Sequence, residues 1–450
     1  MRTEHDLLGT RELPDEALYG IHTARALENF PHGGVPLGAV PEFCLALVTV
    51  KAAAAGANVE LGALDEARGA AIVAACEELI AAPEELVRQL QLPVLQGGAG
   101  TSTNMSANEV IANRALEILG RRPGDYAHLH PNDHVNRSQS TNDVYPTALQ
   151  VALVLRDRWV AAALGGLAEA LAALAARNEA VEKLGRTQLR DAVPMSVGQE
   201  FTAWADGCRR SVEELRAVAA GDLRRVHLGG TAIGSGLNAP EGYAELAVRR
   251  LAAALGLDFE LAPRPVSATT DPSALLAYSA ALRSSALRLG KLANDLRLLS
   301  SGPRAGLAEL QLPPVQAGSS MMPGKVNPVI PEYANQLCFR IRGLDETVTL
   351  ALDAAQLQLS AMVPAAADAL FESQQLLRVA CDSLSTRCVP GIEVDEEVLE
   401  GYVGAGLGEL TSAAAVLGYE TGSVLASEAE RDGVAPVELV RRRVGSDDGR

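Results

Sequence analysis

Apolar residues recur at helical spacing along most of the chain. Between residues 149 and 174 they return every three, four or seven positions, which is the pattern of one long helix with a continuous apolar stripe. Between residues 275 and 300 leucine alternates with small residues at heptad spacing, which allows neighbouring helices to interdigitate. A third long helix is predicted for residues 329–362, broken by Pro364. Three helices of this length predict a rod-like middle domain.

The flanking segments have shorter periods. We predict helices at residues 43–61 and 64–81, another from residue 104 to Gly120, and one that begins near residue 196. Residues 1–40 are rich in Gly and Pro and predict an irregular start that could contain strands. After residue 393 the spacing of the apolar residues shortens again. The prediction is therefore a mostly α protein with three domains at residues 1–141, 142–393 and 394–450. The apolar faces of the long helices are too extensive for one subunit to cover, so we expect an oligomer.

Four polar segments interrupt the helices, at residues 97–103, 137–143, 185–191 and 317–328. The first belongs to a glycine-rich turn, residues 96–103, which feeds a helix and could bind an anion, although it has neither a P-loop lysine nor a preceding strand. In the second, the consecutive donors Ser140, Thr141 and Asn142 fit either a bound carboxylate or ordinary helix capping, and the sequence favours neither. The third contributes Thr187 and Gln188.

The segment 317–328, AGSSMMPGKVNP, combines two glycines, two prolines, adjacent serines, a lysine and an asparagine. Glycine permits unusual backbone shapes and close approach to a ligand, while proline prevents a helix from continuing. An ordinary connection between helices does not need this density of donors. The segment therefore favours a mobile catalytic loop, with an ordinary connection as the alternative.

Composition narrows the function further. Hydrophobic residues make up 48% and aromatic residues only 4%, which suits helix packing, and the net charge of −17 argues against a nucleic-acid partner. The six cysteines show no metal-binding spacing and predict reduced thiols in a cytoplasmic protein; neither a signal peptide nor a membrane-spanning run is evident. No Ser-His-Asp set is evident, and each histidine is expected to be structural. Many hydroxyl groups with one lysine suit a dicarboxylate and the stabilisation of extra negative charge.

The motifs resemble those of the aspartase/fumarase superfamily from about residue 4 to residue 393. The loop GSSMMPGKVNP is similar to the superfamily signature, and QGGAGTSTNM, HPNDHVNRSQSTND, GRTQLRDAVP, GGTAIGSGLNAP and NDLRLLSSGPRAGL also look like it. HDLLGTRELPDEALYGIHTARALENFP, NPVIPE and AAQLQLSAM look like the aspartase branch, and fumarases usually carry histidine where Gln188 stands. The resemblance implies a three-domain fold and a homotetramer whose middle helices form a shared central bundle. Each active site is expected to combine segments from three subunits, without a cofactor or a metal.

The resemblance also implies anti-elimination on an aspartate-like dicarboxylate to give fumarate, with Ser319 as the base. The remaining implied positions form three groups. Those expected to hold the aci-carboxylate intermediate are Thr101, Ser140 and Ser320; those expected to hold the other carboxylate are Thr141, Thr187, Lys325 and Asn327; those expected to face the leaving group are Asn142 and Gln188. Nearby N–H groups and Lys325 could stabilise the serine alkoxide that such a base requires.

Departures from the family leave the leaving group open. Arg137 and Arg190 stand where aspartases usually carry lysine and glutamine, and an arginine fork suits a planar oxyanion such as a nitro group. Their alternative role is as surface ion-pair partners. Gly343-Leu344-Asp345 replaces the usual Gly-Asn-Asp, and TSAAAVLGY lacks the family's Asn-Pro motif. We expect ammonia to be released; the alternatives are nitrite from nitrosuccinate, a fumarase-type reaction, or a catalytically silent relative.

Overall fold

The computed structural model describes residues 1–31, 34–406, 410–411, 418–436 and 438–440. The protein is mostly α-helical, which confirms the predicted fold class. Its contacts divide it into two compact units: the first contains Met1–Ala161, Glu213–Ser284 and Arg340–Leu376, and the second contains Ala162–Val212, Ser285–Phe339 and Leu377–Arg450. The segment TSAAAVLGY and the polar tail GSDDGR fall wholly or mostly outside the described residues.

Helices dominate the chain order. They are α1 (Ile21–Asn29), α2 (Pro41–Glu60), α3 (Glu66–Ala81), α4 (Pro83–Gln89), α5 (Thr101–Ile118), α6 (Thr141–Arg177), α7 (Val197–Ala220), α8 (Tyr243–Leu255), α9 (Pro265–Ala268), α10 (Ser273–Leu299), α11 (Val329–Asp353), α12 (Val363–Arg387), α13 (Glu396–Ala405) and α14 (Tyr419–Asp432). The strands pair in twos: β1 (Arg2–Asp6) with β2 (Gly9–Leu13), β3 (Glu182–Thr187) with β4 (Arg190–Ser196), β5 (Arg225–Val226) with β6 (Glu260–Leu261), and β7 (Leu310–Gln311) with β8 (Glu393–Val394). Only the pair β5–β6 is parallel among these.

Helix α2 forms the centre of the first unit. It is apolar on nearly every side and packs against α3 and α8. Phe43, on its first turn, is fully buried and contacts the rings of Tyr145 and Phe371, with centroids 5.2 and 5.3 Å apart. Each buried aromatic of this kind stabilises the fold by about 1.5–3 kcal/mol. This core supports the start of α6, where the polar segment 137–143 lies.

In the second unit, buried charges tie the hairpin β3–β4 to the chain before β7. Glu309 is 1% exposed and receives ion pairs from Lys183, at 2.8 Å, and from Arg186. The Arg186 guanidinium also lies 5.1 Å from the ring centroid of Tyr402 on α13, whose hydroxyl donates to the Leu307 carbonyl at 3.0 Å. Arg186, next to the tip of the hairpin, is therefore held by both Glu309 and Tyr402.

Two predicted helix boundaries were wrong. The helix predicted for residues 329–362 ends at Asp353, because Leu357 adopts a positive φ of 51° in a short bridge between Gln356 and Leu359. Helix α5 begins at Thr101, so the predicted glycine-rich turn ends at Gly100. The polar segment at residues 185–191 forms the end of a β-hairpin over residues 182–196, whose strands were not predicted. The other helix predictions agree with the structure to within a few residues.

Two helices are long and apolar enough to cross a membrane by length and composition. These are Pro41–Glu60 and Thr141–Arg177, of which the apolar windows are 78% and 50% buried inside the protein. A buried core helix of a soluble protein has the same composition, so this observation is weak evidence for a membrane span.

Candidate active site

Ser319 lies in a backbone cradle within the segment 317–328. Its Oγ accepts the backbone N–H groups of Met321, at 3.1 Å, and Met322, at 2.9 Å. Two donors on one oxygen stabilise negative charge there, which is what a serine base requires. Gly318 permits the close turn, because a Cβ at this position would lie only 1.4 Å from the carbonyl oxygen of Lys325. Glycine at position 318 is therefore required by the geometry of the loop.

The same loop exposes its other candidate donors. Ser320 and Lys325 are exposed, and Ser319 and Asn327 are half-buried. Lys325 and Asn327 line a cavity of about 590 Å³ within the second unit. A lysine beside an asparagine amide at an open cavity can bind a carboxylate, because both supply N–H donors and the lysine supplies charge.

The hairpin tip carries Thr187 and Gln188 on a strained loop. Thr187 pairs with Arg190, and the two residues between them, Gln188 and Leu189, have positive φ angles of 54° and 61°. Two-residue loops of this shape normally use Asn-Gly, because other side chains cost free energy at positive φ. Backbone strain of this kind persists where the surroundings enforce it and is concentrated at functional sites. Here it projects exposed polar side chains from the hairpin.

Thr101 is the first residue of α5. The preceding Gly100 has a φ of 88°, and a Cβ there would lie 2.2 Å from the Tyr145 ring, so glycine is required. The Thr103 N–H is occupied by Gln96 Oε1 at 2.9 Å. The Thr101 N–H is likewise occupied, by the Gly98 carbonyl oxygen at 2.9 Å. The Thr101 hydroxyl lies at the positive end of an 18-residue helix and can donate to an anion.

Ser140 caps helix α6. Its Oγ accepts the Asn142 N–H at 3.2 Å, and Asp143 Oδ1 accepts the Ser140 N–H at 2.9 Å, so the two residues form a capping box. This confirms the capping interpretation for Ser140 without excluding a ligand, because its hydroxyl hydrogen remains available. Thr141 Oγ1 accepts from Asn104 Nδ2 at 3.2 Å, which fixes the position of that hydroxyl.

Below this segment lies a buried polar network. Lys51 is fully buried and donates to Asn136 Oδ1 at 3.0 Å and to Gln139 Oε1 at 2.9 Å. Burial lowers the pKa of Lys51 to about 7 and raises the pKa of Asp143 to about 6, and the two charges partly offset one another. The network supports the segment 137–143 from the buried side.

The candidate residues occur in both units. The first unit carries Thr101, Arg137, Ser140, Thr141 and Asn142, and the second carries Thr187, Gln188, Arg190, Ser319, Ser320, Lys325 and Asn327. Arg137 and Arg190 are both exposed, and within the described part of the chain neither forms an ion pair. The surface ion-pair interpretation therefore finds no partner for them among the residues of this subunit that the structure describes.

Sequence reasoning did not single out Asp143 or His227. Asp143 accepts backbone N–H groups from a distant turn, and His227 Nε2 lies 3.0 Å from the Asn142 carbonyl oxygen. The spacing of Ser140 and Asp143 gave the signal for the capping box. No local pattern identifies contacts to residues more than 80 positions away.

Comparison with known proteins places this geometry in a family. The lyase family matches residues 9–343. The chain is 48% identical over 440 residues to the aspartate ammonia-lyase of Pseudomonas aeruginosa, covering 98% of this chain and 92% of that protein.

Two solved structures agree. The cobalt-bound fumarate lyase:delta crystallin of Brucella melitensis has a TM-score of 0.94 and 48% identity, covering 98% of this chain and 95% of that one. The class II fumarase of Schistosoma mansoni has a TM-score of 0.92 and 32% identity, covering 99% and 95%. The chain therefore belongs to the lyase family, within the aspartase/fumarase superfamily.

Proposed function

We propose that this protein is an aspartate ammonia-lyase, which converts aspartate into fumarate and ammonia. The observation that carries the proposal is the pair of backbone N–H groups on Ser319 Oγ, at 3.1 and 2.9 Å. Support comes from the 48% identity to an aspartate ammonia-lyase, compared with 32% identity to a fumarase. A silent relative would have no need to retain this cradle together with Lys325, Asn327 and Thr141.

In the proposed reaction, ionised Ser319 removes a proton from the aspartate carbon next to the side-chain carboxylate. The electron pair of that C–H bond moves into the carboxylate, which becomes a doubly charged aci-carboxylate. A double bond then forms between the two central carbons as the C–N bond breaks, and the amino group leaves as ammonia. The Ser319 cradle stabilises the alkoxide before the reaction, and other donors stabilise the intermediate.

We assign the remaining roles as the superfamily resemblance implies. Thr101, Ser140 and Ser320 hold the aci-carboxylate, and each such donor is worth about 100- to 1000-fold in rate. The other carboxylate is held by Thr141, Thr187, Lys325 and Asn327, and the leaving amino group is faced by Asn142 and Gln188.

We further propose a cytoplasmic homotetramer in which three subunits complete each active site, with the three domains predicted from the sequence. Exposed apolar side chains on the long helices support association: Trp159 is 46% exposed, Phe339 59% and Leu350 61%. Light scattering should give a particle of about four times the 47.0 kDa chain mass. A monomer that retains full activity would contradict the shared site.

Nitrite elimination from nitrosuccinate is the second candidate. It is favoured by Arg137 and Arg190, which are exposed and have no ion-pair partner within the described residues of the chain. An arginine fork suits the two oxygens of a nitro group better than it suits an ammonium group.

One assay separates these candidates. Aspartate, nitrosuccinate, malate and argininosuccinate are offered separately to the purified protein, and fumarate is followed by its ultraviolet absorbance. The proposal predicts that aspartate has the highest kcat/KM. A higher value for nitrosuccinate would favour the second candidate, and rapid turnover of malate alone would exclude both.

A further inference from the structure

Asp143 makes contacts that a helix cap does not need. It is fully buried on the first turn of α6, and its Oδ1 accepts the Ser140 N–H at 2.9 Å, which completes the capping box. Its Oδ2 accepts two further backbone N–H groups, from Gly229 at 3.0 Å and from Thr231 at 2.9 Å. These last two bonds join α6 to the glycine-rich turn at residues 227–236, for which the proposed mechanism has no role.

The turn itself has a shape that must be held in place. Gly229 and Thr231 have positive φ angles of 90° and 56°, and the latter is unfavourable for a β-branched residue. A Cβ at Gly229 would lie 2.5 Å from Ala244 on α8, so the backbone packs tightly there. The charge-assisted hydrogen bonds that the turn donates to Asp143 are strong enough to offset the strain of this conformation.

The turn at residues 227–236 also orients Asn142. Asn142 Nδ2 donates to the Ala232 carbonyl oxygen at 2.8 Å, and His227 Nε2 donates to the Asn142 carbonyl oxygen at 3.0 Å. Burial lowers the pKa of His227, which favours the neutral ring. Because a carbonyl oxygen can only accept, Nε2 carries the proton in this contact. Because the Ala232 carbonyl can only accept, the Asn142 amide cannot flip, and Oδ1 is the atom that remains available.

Asn142 and His227 line a cavity of about 540 Å³ in the first unit. An amide oxygen at such a cavity accepts hydrogen bonds and therefore suits the ammonium group of aspartate. Of the hydrogen bonds that the described residues make, none occupies Asn142 Oδ1.

We propose that Asp143 is a positioning residue for the elimination: by clamping the turn at Gly229 and Thr231 against α6, it locks the Asn142 amide with Oδ1 towards the leaving amino group. The inference rests on the proposed ammonia-lyase function and adds the contacts that select an amino group as the leaving group. The charged and titratable groups that face Asp143 are Lys51 on α2 and Tyr243 on α8. Protonation of Asp143 weakens its oxygens as acceptors for these three donors, so acid should weaken the clamp.

The substitution D143N tests the clamp because it keeps the shape and replaces one acceptor oxygen with an NH₂ group. That group faces the N–H donors of the turn, so the turn should detach while Oδ1 still caps Ser140. We expect kcat/KM for aspartate to fall about 30-fold or more. The inhibition constant of fumarate, which has no amino group, should change less than about threefold. The contribution of Asp143 to the acid limb of the kcat/KM profile, near pH 6, should also be lost.

Asp157 supplies the matched control. It is a buried aspartate on the same helix, and it accepts one hydrogen bond, from Tyr278 at 2.8 Å. D157N should keep both the kcat/KM and the pH profile of the wild type. If D143N does not fold, H227L provides a second test, because it removes the hydrogen bond from His227 to the Asn142 carbonyl oxygen. It should also lower kcat/KM for aspartate while leaving the inhibition constant of fumarate nearly unchanged.

The outcomes are distinct. A fall in kcat/KM with preserved fumarate binding, absent in D157N, supports the clamp. Variants that match D157N, or that lose fumarate binding as strongly as kcat/KM, would overturn it. A wild type that forms no fumarate from aspartate would instead overturn the proposed function.

Discussion

Replacing Glu109 with glutamine should change how the stability of the protein depends on pH. Glu109 lies on α5, is 2% exposed, and accepts four hydrogen bonds at the start of α1. They come from the N–H groups of Gly20, His22 and Thr23 and from the Thr23 hydroxyl, at 2.6–3.1 Å. Burial is the largest influence on this group and raises the pKa of Glu109 from 4.5 to about 7.

The sign follows from proton linkage. Between pH 4.5 and 7 the folded protein holds a proton on Glu109 that the unfolded chain has released. The stabilisation from this group is complete below pH 4.5 and is lost as the pH rises through about 7. At about 1.4 kcal/mol per pKa unit, the loss is about 3 kcal/mol. A glutamine does not titrate, so E109Q lacks this dependence.

The assay is thermal unfolding of both proteins between pH 5 and pH 8. An unfolding entropy of about 2 cal/mol/K per residue gives about 0.9 kcal/mol/K for a chain of this length, so the predicted change is about 3 °C in Tm. The Tm of the wild type minus that of E109Q should therefore decrease by about 3 °C from pH 5 to pH 8. E66Q, at an exposed glutamate in the first turn of α3, controls for the loss of one charge. A constant difference, or one that grows towards pH 8, would refute the reasoning.

Three further predictions concern the site. K325M should raise the KM for aspartate by about 100-fold, because it removes the charged group that binds a carboxylate, and K325R should raise it less. Equal KM values for the wild type, K325M and K325R would contradict this role. Y402A should lower kcat/KM about 3- to 10-fold, because it removes the ring that stacks on Arg186. Y402F keeps the ring and should retain more than half of the wild-type kcat/KM. Equal losses in both variants would show that the ring contact does not support activity. If ammonia is the leaving group, R137K and R190Q should each keep a kcat/KM for aspartate within about threefold of the wild-type value. A selective loss of nitrosuccinate turnover would instead show that these arginines bind a nitro group.

The helical part of the fold could be predicted because periodicity is a local signal. The stripe at residues 149–174 follows from apolar spacing alone and lies within Thr141–Arg177. The early end of α11 could not be predicted, since no glycine or proline stands between Asp353 and Leu357, and the positive φ of Leu357 is imposed by its surroundings. At the tip of the hairpin β3–β4 a polar turn was predicted, but the two strands of the hairpin were not, because Gln188-Leu189 lacks the residues that usually mark a two-residue hairpin loop.

The candidate site was predictable where a motif is compact. The contacts that shape the segment 317–328 lie within eight residues of one another. They are the close approach of Gly318 to Lys325 and the backbone N–H groups that donate to Ser319 Oγ. The clamp around Asp143 was not predictable, because its partners Gly229 and Thr231 lie 86 and 88 positions away and contribute only backbone N–H groups. Backbone donors leave no trace in side-chain identity, so such contacts become visible only in the folded chain.

The most direct test of the account is fumarate formation from aspartate by the wild type and by S319A, measured under saturating substrate. Positioned general bases contribute about 100- to 10,000-fold to rate, so we predict that the wild type releases fumarate and ammonia in equal amounts and that kcat falls by at least about 100-fold in S319A. Circular dichroism should show that both proteins are equally helical. Equal rates of fumarate formation by the two proteins would contradict the assignment of Ser319 as the base.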